Sequence, residues 1–165
     1  MYRVLTVFNA TIARWCMYAA VAGLVGIVAT VAWQVFGRYV LNDTPTWAES
    51  TALVLILYVT MFGAAVGVRD SGHIGLESLL VLAPDRLRLK LEVVIHLLVG
   101  GFGLIMAWNG GVLAESVMAY KIPTLGLPEG INHVPSVIAG VLIALFSLEH
   151  IVALLRGEDV EPSWY

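Results

Sequence analysis

The chain has 165 residues, of which 59% are hydrophobic and only 13% are charged. Soluble domains carry charge on about a quarter of their residues, so this composition is typical of an integral membrane protein. The net charge is −3 and no long basic run occurs, which excludes a nucleic-acid partner. The single cysteine, Cys16, excludes an intrachain disulfide and a cysteine-rich metal site.

Four long uncharged stretches predict an all-α protein with four transmembrane helices, since roughly 20 apolar residues cross about 30 Å of hydrocarbon. The predicted spans cover approximately residues 13–37, 48–68, 90–114 and 134–155, and together they make one membrane domain of residues 1–165. Pro135 suits the first turn of the last span. The first span is expected to be retained, because its apolar run exceeds the roughly 7 to 15 residues of a secretory signal.

The basic residues are unevenly divided between the two sides of the membrane. Two of the nine, Arg38 and Lys121, fall in the first and third loops, and the other seven lie on the side of the termini. Loops rich in Lys and Arg tend to stay in the cytoplasm. Both termini are therefore predicted to be cytoplasmic, with the first loop on the outer face of the membrane, which in a bacterial inner membrane is the periplasmic face.

The first loop and its flanking helix ends, QVFGRYVLNDTPTWAES, carry Arg38, Trp47 and Glu49. One interpretation is that these residues mark the headgroup region, where tryptophans and charges commonly anchor a span. The other is that Arg38 and Glu49 form a partly buried ion pair that locks the first two helices together. Sequence spacing does not decide between the two.

The second loop predicts a short amphipathic segment in the membrane interface between the second and third helices. Residues 74–82 carry spaced isoleucine and leucine residues, as such a segment requires. Gly72 permits a sharp turn after Arg69, and His73 can cap the preceding helix or hydrogen-bond to that turn. Basic residues that follow, Lys90 among them, are suited to anionic lipid headgroups.

Two stripes of small residues predict close helix packing, because helices in lipid associate through direct contact. They are Gly63-x-x-x-Gly67 and Gly100-Gly101-x-Gly103. Either stripe suits another helix of this chain or a helix of a partner. Asn109 in the third span is predicted to hydrogen-bond between helices.

A set of motifs resembles the small membrane subunit of tripartite ATP-independent periplasmic (TRAP) transporters of the DctQ type. The likeness runs from about residue 34 to residue 148 and follows the family's order and spacing. The motifs are Gln34-Val35-Phe36-x-Arg38-Tyr39-Val40-Leu41-Asn42, Trp47-x-Glu49, Gly63-Ala64-Ala65, Arg69-x-x-Gly72-His73-Ile74, Pro123-Thr124-Leu125-Gly126-Leu127-Pro128 and Pro135. Ser50 departs from the pattern, since many relatives carry a second acid there.

The resemblance implies a subunit that holds a larger multi-span permease subunit, while a periplasmic solute-binding protein delivers an organic acid. In that family a sodium gradient drives transport, and the solute and sodium sites lie in the large subunit. This chain is then expected to be a scaffold without catalytic residues, metal or cofactor. The resemblance gives structural or subunit-contact roles to Arg38, Trp47, Glu49, Arg69, Gly72 and His73. The scarcity of ionisable residues within the spans agrees with it.

An alternative is a four-helix anchor that binds haem or a quinone, with His96 and His150 as candidate iron ligands. The simpler interpretation of His96 is a structural histidine that hydrogen-bonds to a neighbouring helix. A self-sufficient small multidrug-type carrier is less favoured, because the spans lack a mid-membrane acid.

Overall fold

The computed structural model describes residues 2–70, 84–158, 160 and 162–163. Over these residues four helices are long and apolar enough to span a membrane, and no strand forms apart from an isolated bridge between Lys121 and Pro128. This confirms the predicted all-α membrane fold. The helices are α1 (Tyr2–Phe36), which continues as a π-helix (Gly37–Leu41), α2 (Thr46–Asp70), α3 (Asp85–Ser116) and α4 (Val134–Arg156).

Each helix overlaps one predicted span, and α1 shows the largest extension beyond it. It begins at Tyr2 rather than at residue 13. Arginines at positions 3 and 14 interrupt the apolar run, but residues 2–22 contain no glycine or proline that would break a helix. Hydropathy measures the part of a helix that lipid can accept, whereas the backbone remains helical until a residue disfavours it.

The helices form two antiparallel pairs, α1 with α2 and α3 with α4, and α2 against α4 joins the pairs. Small residues dominate the buried core, in which Phe146 is the largest apolar side chain. Gly103 and Gly140 bring α3 and α4 into backbone contact. A Cβ at Gly103 would lie 2.7 Å from the Gly140 carbonyl oxygen, and a Cβ at Gly140 would lie 2.5 Å from that of Gly103. Both positions therefore require glycine for this close approach.

Large apolar side chains cover the outer faces of the helices. Trp15, Leu24 and Trp33 on α1, and Leu98 and Trp108 on α3, are each half or more exposed. Such faces suit a bilayer, where lipid tails replace the water that surrounds a soluble protein. The predicted amphipathic segment, with Gly72 and His73, lies outside the described residues.

A buried ion-pair network and the candidate subunit contacts

The main polar feature of the structure is a buried ion pair between Arg69, near the end of α2, and Glu149 in α4. Their side chains are both 0% exposed. Nε and Nη2 of Arg69 donate to Oε2 and Oε1 of Glu149, each at 3.2 Å. This two-pronged geometry matches a planar guanidinium to a carboxylate and orients both groups. The pair therefore ties α2 to α4.

Two further side chains extend the pair and bring in α1. Asn9, which is fully buried on α1, donates from Nδ2 to Glu149 Oε2 at 2.8 Å. Arg69 also donates from Nη1 to Asp70 Oδ1 at 2.9 Å. A buried charge is tolerated when it is paired and hydrogen-bonded, and here one guanidinium contacts two carboxylates. The network thus joins three helices at one end of the bundle.

The chain beyond α4 returns to the same network. Gly157 ends α4 with a φ of 68°, a left-handed conformation that glycine adopts without strain. Ser163 is then buried, and its N–H donates to Asp70 Oδ1 at 3.0 Å while its hydroxyl donates to Asp70 Oδ2. Arg14 Nε donates to the Ser163 carbonyl oxygen at 3.1 Å. Ser163 therefore connects α1, at Arg14, to the end of α2, at Asp70.

Two histidines complete this region. Nε2 of His150 lies 2.9 Å from the carbonyl oxygen of Arg69, and a carbonyl only accepts, so Nε2 carries the proton. The ring of His96, which is 6% exposed, stacks on His150 with centroids 4.5 Å apart and planes 5° from parallel. Axial haem ligands point their nitrogens end-on at one iron from opposite faces. Face-to-face rings do not present that geometry, and the haem alternative gains no support here.

Of the predicted site residues that the structure describes, namely Arg38, Trp47, Glu49 and Arg69, only Arg69 belongs to this network. Arg38 lies in the π-helix, and Trp47 and Glu49 lie in the first turn of α2; all three are exposed. Ion pairs between described side chains join Arg69 to Asp70 and Glu149, and Arg88 to Glu92. The proposed pair between Arg38 and Glu49 is therefore not formed within the described residues of the single chain.

The backbone at the end of α1 explains why Arg38 faces outward. The π-helix is followed by Asn42, whose φ of 55° is left-handed, and Asp43 N–H donates to the Gly37 carbonyl at 3.0 Å. A Cβ at Gly37 would lie 2.8 Å from the Asp43 carbonyl oxygen. Gly37 is thus buried under the loop while its neighbour Arg38 remains on the surface.

At the same end of the bundle the third loop packs on α2. The hydroxyl oxygens of Ser50 and Thr124 are 2.5 Å apart, and Tyr58 donates its hydroxyl proton to the Ile131 carbonyl at 3.1 Å. Ser50 is the position at which the sequence analysis expects a departure from the family resemblance. A hydroxyl there can share a hydrogen bond with Thr124, whereas a carboxylate can only accept one.

The two glycine stripes have different surroundings. Around Gly63 and Gly67 on α2, no atom of another described helix lies within 4 Å of an added Cβ, so no described helix of this chain packs on that stripe. On α3, by contrast, Gly100 and Gly103 pack against α4, while Gly101 faces open space. The predicted role of Asn109 was wrong, because its side chain is exposed and donates to the carbonyl of Ile105 in its own helix at 2.8 Å.

Sequence reasoning missed the other members of the network, among them Asn9, Glu149 and Ser163. A signal existed for Glu149, which is an acid within an apolar stretch that continues to Leu155. Such a residue predicts a buried cation as its partner, and Arg69 closes another apolar stretch on the same side. Asn9 and Ser163 carry no comparable signal, because each looks like an ordinary polar residue outside the spans.

The fold and the network define a class of protein: a multi-pass membrane protein whose buried charges connect its own helices. A family model, described as Tripartite ATP-independent periplasmic transporters, DctQ component, matches residues 27–157. The chain therefore belongs to the DctQ family. It is a small permease subunit of a TRAP transporter, which makes it a transporter component of the inner membrane and not an enzyme.

Similar proteins come from two bacteria. The sialic acid TRAP transporter small permease protein SiaQ of Vibrio cholerae serotype O1 is 25% identical over 137 residues, which are 81% of this chain and 77% of SiaQ. The C4-dicarboxylate TRAP transporter small permease protein DctQ of the same organism is 36% identical over 55 residues, 33% of this chain and 24% of DctQ. The sialic acid TRAP transporter permease protein SiaT of Haemophilus influenzae is 33% identical over 66 residues, 40% of this chain and 11% of SiaT.

Proposed function

We propose that this chain is the scaffold subunit of a sodium-driven, binding-protein-dependent transporter of an organic acid. It holds the large permease subunit in the membrane, while solute and sodium bind to that subunit. The observation that carries the proposal is the buried network around Arg69 and Glu149. It connects α1, α2 and α4 through fully buried polar groups, which favours one fixed arrangement of these helices.

A carrier that moves solute by itself needs a different interior. Carriers place ionisable groups or broken helices near the membrane midplane, where the solute and its coupling ion bind. In the described part of this chain, α2, α3 and α4 each run continuously, and the buried ion pairs lie at the end of the bundle where α2 terminates. This arrangement supports a subunit that positions a transport pathway formed elsewhere.

The relatives support both the solute class and the large partner. The names of SiaQ and DctQ refer to sialic acid and C4-dicarboxylates, which are organic acids. The aligned segment of SiaT is only 11% of that permease, so a segment similar to this chain occurs within a much longer protein. When such a segment belongs to the same chain as a permease, the two remain together. We therefore expect a small subunit that is a separate chain to contact its large permease stably. The periplasmic binding protein is the remaining component of this proposal.

Arg38, Trp47 and Glu49 are proposed to contact the large permease at the periplasmic end. They are exposed in the single chain, so a partner subunit can reach all three. If that subunit covers Arg38, a nearby carboxylate is needed to avoid an unpaired charge in low dielectric, and Glu49 is the candidate. Their pairing is therefore proposed for the assembled transporter.

The proposed orientation places both termini in the cytoplasm, which puts the Arg69 network on the cytoplasmic side. Single cysteines at Thr44 and Glu158, in a background without Cys16, test it because both positions are exposed. A membrane-impermeant maleimide should label Thr44→Cys in intact cells, and Glu158→Cys only after the cells are permeabilised. Labelling of both positions in intact cells would contradict this orientation.

The function itself is tested by reconstitution. Proteoliposomes that contain this chain, the large permease and the binding protein should accumulate sialic acid or a C4-dicarboxylate when an inward sodium gradient is applied. Omission of this chain should abolish uptake, and this chain alone should show none. Impermeant labelling confirms insertion in every sample. Robust uptake by this chain alone, or full uptake without it, would contradict the scaffold role.

A further inference from the structure

A lateral groove between α3 and α4 is not used by the proposed scaffold role. Its volume is about 510 Å³, and it opens toward the membrane-facing surface. Apolar side chains and glycine line most of it, including Leu97, Gly101 and Leu104 on α3 and Ala144 and Leu148 on α4. A groove with such walls at lipid depth is suited to a hydrocarbon occupant.

Adjacent glycines on α3 explain why the groove exists. Gly100 packs closely on α4, since an added Cβ would lie 3.2 Å from Cβ of Ser147. At Gly101, one position further along, no described atom lies within 4 Å of an added Cβ. The helices are thus close at Gly100. Gly101 has no side chain, which leaves the groove open beside this contact. Leu97 and Leu148, which are 58% and 50% exposed, form its rims.

The groove is polar at one end only. His96 and Ser147 line the end nearer the Arg69 network, whereas Leu104 and Val141 line the opposite end. Ser147 is 1% exposed, and its hydroxyl has no hydrogen-bond partner among the described atoms. A buried hydroxyl of this kind favours an occupant that brings an acceptor to it. An amphiphile with its polar end toward the network meets this requirement.

The length of the groove suits part of a lipid chain. The α3 wall runs from His96 to Leu104, which spans about 12 Å at 1.5 Å per residue. Hydrocarbon along this wall meets apolar side chains and glycine, and the unpartnered hydroxyl of Ser147 lies at one end of it.

Lys90 supplies a charge at the polar end. It precedes Leu97 by seven residues, two turns of α3, and so lies on the groove face of the helix near its beginning. Its side chain is exposed and makes no ion pair with a described residue, whereas its neighbour Arg88 pairs with Glu92 at 2.8 Å. A lysine at the membrane surface attracts anionic headgroups.

We propose that this groove binds an acyl chain of an anionic phospholipid, with the headgroup at Lys90 and the ester region near Ser147. The chain lies along Gly101 and Ala144 toward Leu104. In the proposed orientation this lipid belongs to the cytoplasmic leaflet. The site needs only α3 and α4, so it does not depend on transport activity or on the identity of the solute.

Photolabelling tests the site directly. The chain is reconstituted in phosphatidylcholine vesicles that contain a small fraction of phosphatidylglycerol with a diazirine on its acyl chain, irradiated, and mapped by peptide mass spectrometry. Adducts should concentrate on residues 97–104 and 141–148. Gly101→Leu fills the groove from α3 and Ala144→Leu fills it from α4, and each should remove most of these adducts. Gly63→Leu, the same change on an open face of α2, should retain them.

The headgroup is tested with the same assay. Lys90→Gln should lower labelling of the groove by phosphatidylglycerol about fivefold, which corresponds to the roughly 1 kcal/mol that one lysine contributes near an anionic surface. It should leave labelling by diazirine-bearing phosphatidylcholine unchanged. Adducts spread evenly over the exposed faces, or a groove signal unaffected by both filling variants, would overturn the proposal. Loss of the signal when the large permease is added would instead assign the groove to that subunit.

Discussion

Replacing Arg69 by alanine leaves the buried carboxylates of Glu149 and Asp70 near each other without the guanidinium that contacts both. Breaking a buried pair by removing one partner costs about 3 to 5 kcal/mol. Arg69→Ala should fall near the upper value, since two carboxylates lose their cation. Glu149→Ala should fall near the lower value, because Arg69 retains its 2.9 Å contact with Asp70. The structure therefore predicts an order as well as a size.

The assay is unfolding of the purified protein in mixed micelles, followed by tryptophan fluorescence as the fraction of denaturing detergent rises. Arg88→Ala is the matched control, because Arg88 and Glu92 form a pair whose side chains are 44% and 19% exposed. Such a surface pair contributes about 0 to 1 kcal/mol. The control should therefore stay close to the wild type.

The double variant Arg69→Met/Glu149→Met distinguishes pairing from simple loss of packing. Apolar side chains of similar length remove the charges of Arg69 and Glu149 together, so that only the carboxylate of Asp70 loses its cation. The double variant should be less destabilised than the sum of Arg69→Met and Glu149→Met. Strict additivity, or single changes no larger than that of Arg88→Ala, would refute the reasoning.

Three further changes test other parts of the structure. Arg38→Ala and Glu49→Ala should each leave the unfolding of the single chain unchanged, since both residues are exposed, yet each should reduce copurification with the large permease. The double change should reduce copurification by less than the sum of the single effects, and additive losses would argue against pairing. A stop codon in place of Ser163 should lower the free energy of unfolding by about 1 to 3 kcal/mol, because the buried carboxylate of Asp70 loses two donors. Ser163→Ala, which keeps the backbone N–H, should lower it by less, and equal effects would exclude a role for this backbone donor. Gly103→Leu should lower the free energy of unfolding by about 1 to 3 kcal/mol or more, because the added side chain overlaps α4. Gly63→Leu should leave it nearly unchanged. Circular dichroism and the same unfolding assay measure both variants, and equal effects would contradict the packing described.

The sequence alone determined the membrane class, the number of predicted spans and the family resemblance. These properties follow from local patterns, because a bilayer acts on each stretch of about 20 residues independently. The motifs around Arg38 and Arg69 were likewise readable as short ordered strings. Helix ends were harder to predict, as α1 shows, because hydropathy does not report a helix that continues past a charged residue.

Tertiary structure decided which charges meet. Arg38 and Glu49 are close in sequence but both face outward, whereas Arg69 and Glu149 are 80 positions apart and pair in the interior. Tertiary structure also distinguished two similar glycines. Gly63 has no other described helix packed against it, whereas Gly103 contacts the backbone of α4. The physical reason is that pairing of charges and close contact of helices depend on the distance between atoms of different helices. That distance is set when the four helices pack together, and no property of one stretch of sequence contains it.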